Sequence, residues 1–273
     1  HAPLVRSIKS RSGCKGYLII RDIFPEWAVD LGLMGRGIPY RFFKRIAQGQ
    51  YDAADVIGVQ TPGNLGYFNS WQRAKRGRTL EVLQNWLGPP SKTYCSIRLE
   101  ETPLVGRKVF VYAGNMGVAQ GMDILIELAQ RLQHTRQDIG FLFVGRGRDA
   151  ARLRDNAKAL GLENVFFQDE VDPDEIPNLY AQCNAGLVAL DARHKSHNIP
   201  GKFLTYMQSG LPVIAVVNQG NDLADLIRRE RVGVVCETHD IDDLYAGSLS
   251  FLEQIDADAA FSDRCPRLFK KQF

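Results

Sequence analysis

The fold is decided by the stretch Lys108-Val-Phe-Val-Tyr-Ala-Gly-Asn-Met-Gly117, in which an apolar run ends in a glycine-containing turn. Five more apolar runs follow it, at 139–144, 164–167, 185–190, 212–217 and 233–236. Amphipathic segments separate them, at 122–132, 150–160, 173–180, 202–208 and 223–229. Short apolar strands that alternate with helices form parallel sheets, because each right-handed crossover packs a helix on a face of the sheet. We therefore predict a complete doubly wound α/β domain.

The first half of the chain is less regular. Apolar runs at 17–20, 55–59 and 79–83 predict two or three strands. We expect an N-terminal Rossmann-like lobe at residues 1–102 and a C-terminal one at residues 103–273. Because the chain begins at His1 rather than at a methionine, we expect the N-terminal lobe to be incomplete and to lack its first strands.

The composition is typical of a water-soluble globular protein, with 45% hydrophobic and 24% charged residues. No run approaches the roughly 20 apolar residues that a membrane-spanning helix needs. The five cysteines are dispersed and none are paired at metal-ligand spacing, which indicates a reducing compartment rather than a disulfide framework. We expect a cytoplasmic protein.

The charge is distributed unevenly. Residues 1–107 contain 16 Lys/Arg and 8 Asp/Glu, a net charge of +8, whereas residues 108–273 contain 18 and 23, a net charge of −5. A basic half indicates either an anionic partner or simply a solvated basic face. Nucleic acid is not expected as that partner, because the basic residues carry no zinc-finger, helix-turn-helix or RRM signature.

Three segments follow predicted strands, at the sheet edge where doubly wound domains bind ligands. The first, Gly114 to Gly117, is either a phosphate-binding loop or a tight turn. The second, Gly145-Arg-Gly-Arg148, places a charged guanidinium between glycines at the same edge or leaves it in solvent. The third, His197-Asn-Ile-Pro-Gly-Lys-Phe-Leu-Thr205, ends a loop at its proline and begins a helix close to Lys202. An ammonium beside free N–H groups at a helix start favours a diphosphate, so the three segments together predict phosphate binding.

One polar pair in the first half also follows a strand. Arg21 and Asp22 form a local ion pair, or they orient an acceptor hydroxyl or phosphate in a cleft. The sequence contains no Ser-His-Asp, Cys-His or HExxH arrangement, and its Asp-X-Asp triplets at 172–174, 240–242 and 256–258 stand where helices begin. We interpret these aspartates as helix caps rather than metal ligands, and Asn221 as the cap of the segment at 223–229. We expect no metal and no cofactor.

Several motifs together resemble the retaining GT-B glycosyltransferases of group 1 (family 4 type), whose members build bacterial surface polysaccharides. They are Arg21-Asp-Ile-Phe-Pro-Glu-Trp27, Asp55-Val-Ile-Gly-Val-Gln-Thr-Pro62, Asn85-Trp86, Tyr112-Ala-Gly-Asn-Met-Gly117, Val144-Gly-Arg-Gly147 and Ile199-Pro-Gly-Lys-Phe-Leu-Thr-Tyr-Met-Gln-Ser-Gly-Leu-Pro-Val213. The motifs occur in the family's order and cover nearly the whole chain.

The resemblance implies a GT-B-like fold of two Rossmann-like lobes and an enzyme that transfers a sugar with retention from a UDP- or GDP-sugar. The acceptor would be a saccharide or a lipid-linked diphosphate at the inner face of the plasma membrane. The implied catalytic residues are Arg21, Asp22 and Lys202. The implied donor-binding residues are Gly114, Asn115, Met116, Gly117, Gly145, Arg146, Val171, Asn198, Ile199, Pro200, Gly201, Lys202, Phe203 and Thr205. Among the matched positions, Asp169, Glu170 and Val171 lie where such proteins contact the base through their backbone.

The family's usual Arg and Lys after the first strand of the C-terminal lobe are replaced, with Asn115 and Gln120 in that stretch. Two further positions also depart from the family pattern. Many members carry two glutamates eight positions apart, where this chain has His197 and Thr205. A threonine hydroxyl can hydrogen-bond a ribose but carries no charge. Two other interpretations therefore stay open, a nucleotide-sugar epimerase of similar fold and a non-catalytic module that binds nucleotide sugars. An epimerase would convert the donor without an acceptor, whereas a binding module would turn nothing over.

Overall fold

The computed structural model describes residues 1–89, 94–258 and 260–273. It divides into two compact units, His1–Asn85 with Arg193–Ile199, and Trp86–Ala192 with Pro200–Phe273. The chain thus passes from the first unit to the second after Asn85, before the predicted boundary at 102/103. The reason is a set of hydrogen bonds around Gln182, whose side chain accepts from the Leu99 N–H at 3.0 Å and donates to the Ile97 carbonyl at 3.0 Å. These bonds attach the residues before 103 to the second unit.

The first unit contains a parallel sheet in the order β1-β2-β3. Its elements are α1 (Ala2–Ser12), β1 (Tyr17–Ile20), α2 (Glu26–Asp30), α3 (Ile38–Ala53), β2 (Val56–Val59), a 3-10 helix (Pro62–Phe68), α4 (Asn69–Arg73) and β3 (Thr79–Val82). Ile57 and Val59 of the central strand are fully buried, and Phe68 and Trp71 pack in the same core.

The second unit contains the larger sheet. Its strands are β4 (Lys108–Ala113), β5 (Ile139–Val144), β6 (Val165–Gln168), β7 (Ala185–Ala189), β8 (Val213–Val216) and β9 (Gly233–Cys236). Its helices are α5 (Asp123–Thr135), α6 (Ala150–Ala159), α7 (Ile176–Tyr180), α8 (Gly201–Gln208), α9 (Asp222–Glu230), α10 (Ile241–Ala257) and α11 (Phe261–Gln272), with short 3-10 turns at Leu99–Glu101, Val118–Gln120 and Pro173–Glu175.

All strand pairs of this sheet are parallel, in the order β6-β5-β4-β7-β8-β9. The order reverses between β4 and β7, where two crossovers leave in opposite directions. Such a switch point opens a crevice outside the carboxyl ends of the two strands. The strands are predominantly apolar because helices cover both faces, and Phe110, Phe141 and Phe143 are fully buried.

The predicted fold class, α/β with parallel sheets, is confirmed. Each predicted strand is present to within one residue at either end. The capping interpretation is confirmed at three helix starts: the side chain of Asp172 accepts from the Asp174 N–H, that of Asn221 from the Leu223 N–H, and that of Asp240 from the N–H groups of residues 242 and 243. It is wrong for the triplet at 256–258, because Asp256 lies in the last turn of α10 and the N-cap of α11 is Ala260, which makes no side-chain cap bond. Helices α1, α4, α10 and α11 were not assigned as elements from the sequence.

Candidate functional site

A cleft of about 510 Å³ lies in the second unit at the carboxyl ends of β4 and β5. Its position beside the switch point is where the topology places a ligand site. The cleft is lined by Ala113, Gly114, Asn115, Val144, Gly145, Arg146, Glu170, Val171, Pro173, Ile176, Tyr180, Lys202 and Thr205. The structure therefore brings residues of all three predicted phosphate-binding segments together.

The two glycines after β5 allow the β4 and β5 loops to pack against each other. A side chain at Gly145 would collide with the Gly114 carbonyl oxygen, and one at Gly147 with the Met116 carbonyl oxygen. Their φ angles of +134° and +150° also disfavour other residues. The Met116 N–H donates to the Arg146 carbonyl at 2.8 Å and closes the contact. These glycines therefore serve loop packing, which in turn shapes the cleft.

The loop after β4 keeps one backbone donor available. The N–H groups of Gly114, Met116 and Gly117 donate to the Val144 carbonyl, the Arg146 carbonyl and the Gln120 side chain respectively. The N–H of Asn115 has no such partner within the described residues, and Asn115 is exposed in the cleft. An unpaired backbone donor in a cleft is suited to an anionic oxygen.

Lys202 stands in the first turn of α8, next to the Pro200 N-cap. Its Nζ lies 3.2 Å from the centroid of the Tyr112 ring, beside Gly114. Burial lowers the pKa of Lys202 well below its ordinary value, although part of the residue remains exposed to the cleft. No carboxylate within residues 1–89, 94–258 and 260–273 pairs with this ammonium. The charge therefore lacks a counterion that an anionic ligand would supply.

The start of α8 adds to the positive electrostatic potential around Lys202. The first N–H groups of a helix have no partner within the helix and carry a partial positive charge. Pro200 ends the preceding loop in an extended conformation (ψ 144°), which starts the helix at Gly201. An ammonium and free helix-start donors at one point form a site that attracts phosphate.

Arg146 is placed differently from the expectation that it would neutralise a diphosphate. Its side chain is 81% exposed at the rim of the cleft, and its Nε lies 2.9 Å from the Glu170 carboxylate. The guanidinium therefore already has a partner, beside Val171, where the resemblance places the base. Thr205 lines the cleft, and its hydroxyl donates to the Gly201 carbonyl at 3.3 Å.

Other predicted donor-binding residues have supporting positions. Met116 and Phe203 are core residues with 1% and 0% of their surface exposed, so their side chains are not available to a ligand. Asn198 and Ile199 belong to the first unit, whereas Pro200 and the residues after it belong to the second. Gly117, Pro200 and Gly201 are not among the residues that line the cleft.

The segment Arg193–Ile199 is held within the first unit by side-chain bonds to its backbone. The Asn64 amide donates to the His197 carbonyl at 2.6 Å and accepts from the His197 N–H at 3.0 Å. Both Asn64 and Thr61 are buried, and the Thr61 hydroxyl donates to the same carbonyl at 3.1 Å. The segment that contains the family's first glutamate position is thus fixed through its backbone.

The predicted catalytic residues Arg21 and Asp22 directly follow β1 in the first unit, whereas Lys202 lies in the second. Arg21 donates to the Asn85 side chain at 2.7 Å, and Asn85 donates to the Ile199 carbonyl at 3.1 Å. Asp22 is exposed. Arg21 therefore contacts the segment Arg193–Ile199 through Asn85.

Sequence reasoning missed two tyrosines at the cleft. Tyr180 lines it, and the Tyr112 ring faces the Lys202 ammonium. Tyr112 was predicted as a strand residue and quoted in the motif Tyr112–Gly117, but not as a residue of the site, because an aromatic residue in an apolar run is typical of a core. The available signal was its position two residues before Gly114, at the strand end that faces the crevice.

Within the described residues, no group of three His, Cys, Asp or Glu side chains is arranged to hold a metal ion. No helix there combines the length and the apolar character needed to cross a membrane.

Comparison with known proteins identifies the family. The family model described as "Glycosyl transferases group 1" matches residues 107–254, more than half of the chain. A probable glycosyltransferase of Pseudomonas aeruginosa, WbjE, is 25% identical over 242 residues, which are 84% of this chain and 57% of that protein. The putative colanic acid biosynthesis glycosyl transferase WcaI of Escherichia coli K12 is 24% identical over 269 residues, 90% of this chain and 62% of that protein. The chain thus spans about six tenths of the length of these curated relatives.

Solved structures show the same fold at low sequence identity. WaaG, a glycosyltransferase involved in lipopolysaccharide biosynthesis, aligns with a TM-score of 0.72 at 16% identity, over 98% of this chain and 77% of that one. Anabaena HepE in complex with UDP-glucose aligns with a TM-score of 0.74 at 14% identity, over 100% of this chain and 72% of that one. These similarities confirm the GT-B-like fold.

Proposed function

The chain belongs to the group 1 glycosyltransferases, and from that premise we propose that it forms part of an enzyme of bacterial polysaccharide biosynthesis that transfers a sugar from a nucleotide diphosphate sugar. The observation that carries the proposal is Lys202, an ammonium in the switch-point cleft without a carboxylate partner within the described residues. The probable and putative glycosyltransferases WbjE and WcaI support the activity, and the name of WcaI supports the polysaccharide pathway.

The chemistry follows from charge. Breaking the bond between the sugar and the diphosphate leaves negative charge on the leaving oxygens, and preorganised donors lower the energy of that state. Lys202 and the Asn115 N–H are such donors in one cleft, and the start of α8 adjoins it. We propose that they, rather than a metal ion, neutralise the leaving diphosphate, with Arg146 and Val171 at the end that holds the base.

We propose a UDP-sugar as the donor and retention of the anomeric configuration. HepE has been solved with UDP and with UDP-glucose, which supports uridine over guanosine. Within the described lining of the cleft, Glu170 is the carboxylate present, and it is paired with Arg146. Without a free carboxylate to act as a nucleophile, departure of the diphosphate on the same face as acceptor attack is the favoured route to retention.

We further propose that the first unit presents the acceptor, with Arg21 and Asp22 as the contacts at the end of β1. A lipid-linked acceptor fits the net charge of +8 in residues 1–107. Helix α3 exposes Ile38 and Phe42, at 84% and 60%, on one face with the exposed Arg41 and Arg45. An apolar stripe flanked by arginines is suited to the inner surface of an anionic membrane.

The experiment is a calorimetric titration of the chain with UDP, GDP and ADP. Saturable binding of UDP that is tighter than that of the other two supports the proposed donor, and tighter binding of GDP would reassign the base. Absence of binding to all three would contradict the proposal.

For the membrane contact, co-sedimentation with phosphatidylglycerol vesicles should fall with salt and in the double variant Arg41→Gln/Arg45→Gln. Binding that depends on neither would refute it.

A further inference from the structure

Tyr112 contacts both halves of the proposed phosphate site. It is the penultimate residue of β4 and is fully buried. Its hydroxyl donates to the Asn115 carbonyl at 2.6 Å, and its ring centroid lies 3.2 Å from Lys202 Nζ. One side chain therefore joins the loop after β4 to the cation on α8.

The ring gives the ammonium a defined place. A cation over an aromatic face is attracted by the ring quadrupole, and more strongly when water is excluded. A lysine otherwise loses considerable rotamer freedom when a ligand fixes it. The Tyr112 ring is itself packed against Phe143, with centroids 6.4 Å apart. Lys202 is therefore positioned before any anion arrives, and the entropic cost of binding falls.

The hydroxyl fixes the loop. Burial raises the pKa of Tyr112, so the phenol remains protonated and acts as a donor throughout the physiological range. Its bond holds the Asn115 carbonyl, which belongs to the same residue as the unpaired N–H. A loop anchored in this way presents its donor without rearrangement.

We propose that Tyr112 is a positioning residue of the phosphate site, whose ring holds the Lys202 ammonium and whose hydroxyl anchors the loop after β4. The anion that benefits is the diphosphate, so this part rests on the proposed function. The two contacts themselves do not, and they are measurable in the protein without a ligand.

The ligand-free test uses NMR and hydrogen exchange. With lysines labelled at Cε, one pair of Hε signals should be shifted upfield by the ring current, should disappear in Lys202→Met, and should persist in Tyr112→Phe. Amides 114–117 should exchange faster in Tyr112→Phe and be unchanged in Tyr206→Phe. The control is matched because the buried Tyr206 hydroxyl also bonds to backbone carbonyls, those of Val111 at 3.0 Å and Leu187 at 3.2 Å. A wild-type spectrum without the upfield signal overturns the ring contact. Unchanged exchange of amides 114–117 in Tyr112→Phe overturns the proposal that the hydroxyl anchors the loop.

The ligand test uses UDP affinity in a double-mutant cycle. Tyr112→Phe should weaken UDP binding about 2- to 10-fold, as expected for one neutral hydrogen bond. Tyr112→Leu should weaken it about 2- to 30-fold more, because the cation–π contact is also lost. In a Lys202→Met background, the difference in UDP affinity between Tyr112→Phe and Tyr112→Leu should vanish. If the same difference persists there, the ring acts only through packing and the positioning role is wrong.

The two proposals fail separately. If wild-type protein does not bind UDP while the upfield signal and the loop exchange behave as stated, the proposed function is wrong and the positioning contacts stand. If UDP binds but Tyr112→Phe and Tyr206→Phe behave alike in both affinity and loop exchange, the anchoring role of Tyr112 is wrong and the function stands.

Discussion

Replacing Lys202 with methionine removes the ammonium and keeps most of the stem that packs on the Tyr112 ring. A hydrogen bond to a charged group contributes about 1.5–3 kcal/mol, so UDP affinity should fall about 10- to 150-fold. The value should lie toward the upper end, because the described residues offer no carboxylate that compensates Lys202 in the free protein. Lys158→Met is the matched control, since Lys158 is an exposed residue of α6 outside the cleft.

The same substitution has an opposite effect on stability. The pKa of Lys202 is lowered in the folded protein by burial. Between that value and the unfolded pKa of about 10.4, the unfolded state binds more protons, so wild-type stability rises with pH. Lys202→Met should therefore be more stable than wild type at neutral pH, and the gap should close as the pH approaches about 10.

Calorimetry with UDP and urea unfolding at several pH values measure the two effects. Unchanged UDP affinity in Lys202→Met would refute the assignment of Lys202 as the diphosphate contact.

Three further substitutions test the surroundings of the cleft. Gly145→Ala should destabilise the protein by about 1–3 kcal/mol in urea unfolding and weaken UDP binding, because the methyl group meets the Gly114 carbonyl; Gly161→Ala, at φ +63° with open space around it, should cost stability without affecting affinity. Arg146→Gln should change the free energy of unfolding by less than about 1 kcal/mol, because an exposed pair contributes little, and a large loss of UDP affinity would show that the guanidinium leaves Glu170 for the ligand. Asp240→Ala should cost about 1 kcal/mol of stability through loss of the α10 cap, with UDP affinity unchanged, and a cost near zero would contradict the capping role.

The sequence predicted the sheet better than it predicted the division of the chain. Strand β4 stands out in the sequence because it has six consecutive residues, five of them apolar, directly before Gly114. The division between the units depends instead on Gln182 and on Asn64, single polar side chains that bond to distant backbone. Periodicity carries no signal for such bonds, so both the early boundary and the assignment of Arg193–Ile199 to the first unit were missed.

The helices that were not assigned have equally specific causes. Helix α1 has no fully buried residue, so its amphipathic pattern is weak. Helix α11 contains Pro266, which reads as an interruption of a helix although Phe261, Cys265 and Leu268 bury one face. Helix α10 buries Leu244, Phe251 and Leu252 along one face, and only its cap at Asp240 was predicted.

The candidate site was predicted in part for a topological reason. Residues that follow parallel strands converge at one sheet edge, so Gly114, Gly145 and Lys202 could be placed together from the sequence. What the sequence did not reveal is which groups are already occupied. The Arg146–Glu170 pair and the Lys202–Tyr112 contact depend on side-chain conformations that only the packed structure defines.

The most direct test of the central claim is a crystal structure of the chain in complex with UDP. We predict diphosphate oxygens within hydrogen-bond distance of both Lys202 Nζ and the Asn115 N–H, with the base at the Val171 end of the cleft. UDP bound with its diphosphate away from Lys202, or bound outside this cleft, would contradict the account.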